Sequence, residues 1–338
     1  MRWLLFFALC ISSLSYAGEV FTVKTMSFVG KNGAGIDIAG DDVTTPFIES
    51  TNGIVASKIN NLLFVELYEA LAPVRYAKQF GENDDVELGG LSSQSFTVVL
   101  NNGRVFSLAF SGEGCGAYCE DFTRHYAFDA STGNHLVPSD LFTASASIAL
   151  TKRMLGYKQR LYNRQIALLE AELKLISAAK AKAEDVEVLE GKIALNKGCL
   201  NDLAEQDART NPFTRYDYNF NRTGVEINSE RCSNHASRAY DDVDNVILAI
   251  PYSELRPYLS DYGKYIFLNE GKVASDNSIY GKILTGRIGE KSMITMLLHK
   301  YDNGSIHGVY FYNKYRKAIK LSGSESANEL VLDESAGE

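Results

Sequence analysis

Acid–base chemistry near neutral pH starts from histidine, and three of them stand in the body of this sequence: His125, His135 and His235. On a strand, His125 and Asp129 fall on one face, two alternations apart. With His235 they are the residues that could assemble a dispersed hydrolytic or metal site, although nothing in their spacing requires one. H-E-x-x-H, G-x-S-x-G and Walker sequences are all missing, and Gly33-Ala34-Gly35 fails the dinucleotide fingerprint because Ile stands at position 38. No cofactor or metal is expected, and the residues point to a binding protein more than to an enzyme.

Cysteine is the other chemistry-bearing type. Cys115, Cys119, Cys199 and Cys232 follow the N-terminal apolar stretch. Four cysteines permit three connectivities. The pairing expected is Cys115–Cys119, bracketing the flexible Gly116-Ala117-Tyr118, and Cys199–Cys232, tying a helix end to a later strand. The rival is a four-thiolate zinc site, but no C-x-x-C spacing occurs and an exported chain meets oxidising conditions. A disulfide-closed loop presents side chains at low entropic cost, which makes Tyr118 and Glu120 the candidate binding residues. Two Tyr-rich runs, at 252–265 and 301–315, could also line a binding surface, but tyrosine is common in strands and most of these read as sheet residues.

Residues 1–17 have the anatomy of a secretory signal: Arg2, twelve apolar residues, then Ser15-Tyr16-Ala17 at a cleavage site. The apolar stretch is too short to span a bilayer, which takes roughly 20 residues. Leu9 before Cys10 argues against a lipoprotein. Without residues 1–17 the chain has 33 basic and 42 acidic residues, one base fewer than the full sequence of net charge −8. An acidic protein repels phosphate backbones and anionic lipid, so nucleic acid and membrane surfaces are excluded as partners, while a cationic partner is accommodated. The expected location is the periplasm or the exterior, with no transmembrane segment in the mature chain.

The elements that must position these residues read as α+β: an antiparallel sheet with packed helices (18–268), an inserted antiparallel helical hairpin (about 147–208), and a small all-β meander (279–338). Strands are predicted at 19–28, 36–38, 93–100, 105–110 and 124–129, with Asn101-Asn102-Gly103 as a hairpin turn. Helical spacing runs from Ile54 to Leu71, with Pro73 as a stop. Leu155, Tyr162, Leu169 and Ile176 repeat every seven residues, and Leu189, Ile193, Leu200 and Leu203 continue the pattern after a break. Asn211-Pro212 ends the hairpin. Strands return at 214–220, 224–227 and 246–250, a helix begins near Pro251, and the Gly/Asn/Ser-rich 269–278 reads as a domain boundary. The last segment carries strands at 293–299, 306–313, 317–322 and 329–332. Exposed edges require such a meander to dock on the main domain or on further chain.

One block is specific: Tyr126-Ala127-Phe128-Asp129-Ala130-Ser131-Thr132-Gly133-Asn134 followed by Asp140-Leu141-Phe142, with Gly114-Cys115-Gly116-Ala117-Tyr118-Cys119-Glu120 before it and Ile250-Pro251-Tyr252-Ser253-Glu254-Leu255 after it. It resembles the extracellular domain of lysozyme-sensing anti-sigma factors, also found beside the catalytic domain of some peptidoglycan deacetylases, a domain of unknown function. The resemblance covers roughly residues 20–260, interrupted by the hairpin, and implies an α/β sandwich exposed outside the cell membrane or in the periplasm. It also implies recognition of a lysozyme-like cationic protein or of peptidoglycan, without catalytic residues. Signalling across a membrane does not carry over, because this chain has neither a transmembrane helix nor a sigma-binding segment. The block itself is explained by turn chemistry, with Asp129 accepting backbone amides across the turn. Two other functions remain: an envelope hydrolase using Asp129, His125 and His235, and a structural protein assembling through its helical hairpin.

Overall fold

The computed structural model describes residues 21–81, 86–180, 182–206, 216–270, 278–301, 303–326 and 329–334. The signal at 1–17, the stop at 211–212 and most of the loop at 269–278 lie outside the described residues. The fold is α+β, as the patterning predicts.

The central element is helix α1 (Gly53–Tyr68). Asn52 caps its start by accepting from the Val55 amide, and Glu69 ends it in the left-handed conformation, so the last helical residue, Tyr68, falls three residues before the Leu71 to which the helical spacing extends. Apolar residues occupy more than one face, so α1 is covered from several sides. Against one side lies the hairpin sheet of β5 (Leu91–Asn101), β6 (Val105–Cys115) and β7 (Cys119–Asp129). The cross-strand pairs Phe106/Phe128 and Leu108/Tyr126 join Ile59, Leu62 and Leu63 of α1 in one core. The second sheet is built on β1 (Thr22–Lys31), flanked by β2 (Asp37–Ile38), β3 (Thr44–Glu49) and the parallel β4 (Gln79–Gly81). Phe28, Phe47 and Phe80 pack there on Phe64 and Tyr68 of α1. Asn60, buried in α1, takes both polar groups of Ile48 with its amide and fixes helix to strand.

The opposite face of β5–β7 meets a third sheet, β8 (Asp217–Phe220), β9 (Gly224–Ser229) and β10 (Val246–Pro251), together with the short helices α2 (Pro138–Leu141) and α5 (Tyr252–Leu255) and α6 (Asp261–Leu268). Ser107 Oγ donates to the Phe220 carbonyl at 2.8 Å across this contact. The helical hairpin is α3 (Ala144–Ala178) and α4 (Ala183–Glu205). The first turns of α3 bury Ala146, Leu150 and Met154 in the core shared with the third sheet. Farther out, Leu169 packs with Leu189 and Ile193 of α4, with Leu173 and Ile176 against them, so this part of the heptad seam is closed within the hairpin.

The meander has five strands: β11 (Leu284–Ile288), β12 (Ser292–Lys300), β13 (Ser305–Tyr312), β14 (Ala318–Glu325) and β15 (Leu330–Glu334). The sequence reading has four, because the glycine at the centre of Leu-Thr-Gly-Arg-Ile leaves only two apolar residues to mark a strand. Ile283, Leu297 and Phe311 enter the same core as Phe106 and Phe128. Arg316 donates to the Leu71 and Ala72 carbonyls at 2.7 Å, which ties the meander to the segment after α1. Among the described residues no helix is long and apolar enough to cross a membrane.

Candidate functional site

The β6–β7 ladder runs out to the pair Cys115/Cys119, and a disulfide joins that last pair. Three residues close the hairpin. Tyr118 leaves it to stack on His235, with ring centroids 4.1 Å apart and planes 13° from parallel. Glu120, two residues on, accepts from Arg231 at 2.6 Å and contacts His235 Nδ1 at 3.1 Å. The Arg231 hydrogen bond, helped by His235, outweighs desolvation and holds the Glu120 carboxyl below its usual range. Arg238 and Asp121 add an ion pair at 3.7 Å.

His235 opens a single 3-10 helix, His235–Tyr240, capped by Asn234. The second disulfide, Cys199–Cys232, bonds α4 to the residues just before it. Asp242, just beyond, accepts from Lys192 of α4 at 2.8 Å and from Gln165 of α3 at 3.1 Å. Tyr240 lies across Gly191, where an added Cβ would stand 3.4 Å from the ring. Both cross-links therefore fix one surface, in which the hairpin tip rests on a segment that is itself stapled to the helical arm. The expected pair Tyr118 and Glu120 is joined here by His235, Arg231 and Arg238. Arg231 and Glu120 lie 111 residues apart, too far for any spacing to relate them. The signal available was local, because Arg231 and His235 flank Cys232.

The other histidines go elsewhere. His125 bonds to Asp217 of β8 through Nδ1. Asp129 is buried; one carboxylate oxygen accepts from the Ser131 amide and hydroxyl, the other from the Tyr262 hydroxyl at 2.8 Å. Gly133, at φ 72°, completes this turn and presses on α1, where a Cβ would meet the Val55 carbonyl at 2.7 Å. The Phe128–Asp129 block is thus a turn that anchors α1 and α6. His125 and Asp129 sit about 13 Å apart along β7 at strand rise, and His125, Asp129 and His235 each belong to a separate bonded set. Glu113 stands near Cys115 and Cys119, but those sulfurs are bonded to each other and are not thiolate ligands.

A polar seam joins α1 to the meander. Glu66 bonds to His299 Nε2 at 2.9 Å. Burial pushes the Glu66 carboxyl up, but the bond and charge of His299, with His135 and Arg124 beyond, outweigh it and hold the group low. The Glu66 hydrogen bond raises His299 against burial. His135 is the reverse case: burial pushes it down to about 4, against the pull of Glu66 and the Gly281 backbone. The pair's contribution from Glu66 is present above about pH 4.5 and lost as pH falls through its lowered folded value. That from His299 is present below about pH 6.5 and lost as pH rises through its raised one. His135 remains neutral in the fold while the unfolded chain binds a proton, so stability falls as pH drops from 6.5 to about 4. That interval corresponds to about 3 kcal/mol. His135→Gln is expected to flatten this acid limb in urea unfolding measured across pH 4–7; an unchanged slope would place the acid sensitivity elsewhere.

No family model and no curated protein matches the chain. The solved structures that match part of the chain include two DUF3298-family proteins. One is a DUF3298-family protein of Bacteroides fragilis, at 13% identity and a TM-score of 0.40, covering 75% of this chain and 99% of that one. The other is a DUF3298-family protein of Pseudomonas aeruginosa, at 12% identity and a TM-score of 0.33, covering 71% of this chain and 93% of that one.

Proposed function

We propose that the protein is a non-catalytic recognition module of the bacterial envelope, secreted or periplasmic, which binds a lysozyme-like cationic protein through the disulfide-closed tip; peptidoglycan is the alternative ligand. The observation that carries this reading is Tyr118. It is 55% exposed, on a three-residue loop closed by a disulfide, with its ring fixed by stacking on His235. A large aromatic held in one rotamer costs little entropy on binding, the property of an interface anchor. The net charge of −8 favours encounter with a cation. Export is supported by the signal-like residues 1–17 and by two disulfides, and envelope recognition by the resemblance to the lysozyme-sensing domain. The hydrolase reading has less behind it, since its three groups stand in separate bonded sets. The assembly reading has less as well, since the hairpin seam is closed by its own two helices.

The test is titration of the oxidised chain with hen-type lysozyme and with peptidoglycan fragments at low and physiological salt. Tyr118→Ala is expected to weaken binding by about 2 kcal/mol, roughly thirtyfold. Glu120→Ala acts differently, by freeing Arg231 and His235 and loosening the tip. Absence of binding at low salt, or full affinity in Tyr118→Ala, would remove this reading.

A further inference from the structure

Away from the tip, a cleft of about 790 Å³ opens between the first turns of α1, the outer end of β3, the segment 71–76 and the meander. Its lining is unlike the protein as a whole. Lys24, Arg75 and Arg316 face a single carboxylate, Glu49, in a chain whose net charge is −8. Lys24 is matched by Glu49 at 2.8 Å. Arg316 clamps the Leu71 and Ala72 carbonyls. Arg75 is exposed and has no partner among the described residues.

The walls are fixed in advance. The Arg316 clamp holds one side, and the Asn60 amide, bonded to both polar groups of Ile48, holds the floor. Asn61 accepts from the Ala72 amide at 3.1 Å. Tyr76 is anchored through its hydroxyl to the Thr25 carbonyl and lies under Lys24, 4.8 Å from the ring centroid, with 36% of the residue exposed. Thr295 donates to Asn313 Oδ1, which leaves the Asn313 amide nitrogen as a donor at the cleft.

We propose that this cleft binds a carboxylate-bearing saccharide, with the carboxylate on Arg75, a sugar ring against Tyr76, and ring hydroxyl or acetamido groups on Asn313. A guanidinium fork matches one carboxylate in bidentate fashion. One such fork suits a monoanion better than a polyphosphate. An aromatic ring beside amides suits a ligand that is apolar on one face and hydroxylated at its edges. The volume is in the range of small-molecule sites. This inference is independent of the tip, because the cleft and Tyr118 share no residue.

Carboxylated sugars come from wall glycan, as N-acetylmuramic acid, or from uronate polymers, and the experiment separates them. The full oxidised chain is titrated by calorimetry at low salt with an N-acetylglucosamine–N-acetylmuramic acid disaccharide, with trigalacturonate, and with neutral chitotriose. At least one acidic saccharide is expected to bind, with chitotriose roughly tenfold weaker or worse. Arg75→Glu, at an exposed position, should lose roughly tenfold with an unchanged thermal midpoint, and Tyr76→Phe, which keeps the ring, should keep the affinity that Tyr76→Ala loses by roughly tenfold. Tyr118→Ala should bind the sugar normally, so failure at the tip and failure at the cleft are read separately. Binding of the disaccharide alone points to the wall as source, and binding of trigalacturonate to uronates. Chitotriose binding as tightly as the acids, full affinity in Arg75→Glu, or no binding of either acid overturns the proposal.

Discussion

Removing the Cys199–Cys232 bridge by a double substitution to alanine is expected to lower the unfolding free energy by about 4 kcal/mol. The bridge closes a loop of 33 residues, and the entropy that it removes from the unfolded chain grows with the logarithm of that length. The native side of the argument points the same way. Beyond the first turns of α3 the helical arm has a small core of Leu169, Leu189 and Ile193. Among the described residues α4 is also tied here by Tyr240 against Gly191 and by the ion pairs Lys192–Asp242 and Lys197–Glu170, and solvent-accessible pairs contribute at most about 1 kcal/mol each. Without the disulfide, α4 should open before the sheets do, visible as faster amide exchange in residues 183–205 than in β6. The Cys115–Cys119 bridge is the internal control. Its separation is 4 residues at the end of a ladder that already holds those strands together, so the corresponding alanine variant should lose clearly less. Urea midpoints of the two variants decide it. Equal losses would mean that loop closure is not what makes the longer bridge stabilising.

Local chemistry was legible in the sequence, and contacts between distant segments were not. Asn102 behaves as its type demands, accepting the Arg104 and Val105 amides at 2.9 Å to turn β5 into β6. The heptad spacing became α3 and α4, and both disulfides formed as the compartment and loop lengths led one to expect. Strand β3 escaped because all but its last residue are buried, which erases alternation, and because Pro46 reads as a strand breaker. Pro46 is tolerated opposite Thr25 of β1. The three residues of β4 are too few to show any period. At the tip, sequence reasoning reached Tyr118 and Glu120 through the loop that carries them. What it could not reach was that Glu120 is already engaged by Arg231 and His235, which makes it a support for the surface and leaves Tyr118 as its exposed aromatic ring.

Lys282→Met is expected to cost about 3–5 kcal/mol. Lys282 is 4% exposed and its ammonium lies 2.8 Å from Asp140 Oδ2, in a pair whose side chains are 5% and 15% exposed. Asp140 stands in α2, and its backbone carbonyl accepts from Ser260 Oγ at 2.6 Å, which fixes the backbone that carries the carboxylate. Taking away the ammonium removes the counter-charge of a carboxylate that is only 15% exposed. Replacing both partners, as Asp140→Leu with Lys282→Met, should recover most of the loss, since two apolar groups of similar size need no hydration. A double-mutant cycle by urea unfolding measures this directly. Additive losses would show that the pair is not the unit of stability. The same lysine is one of the charges that hold His135 down, alongside its burial. Losing it should let His135 titrate closer to 6.5, so the acid limb of the stability curve becomes shallower in Lys282→Met even as the whole curve drops. Those two effects have opposite signs below pH 6.5. Observing both in one variant would tie the docking of the meander and the acid sensitivity of the fold to the same seam between α2 and the residues that lead into β11.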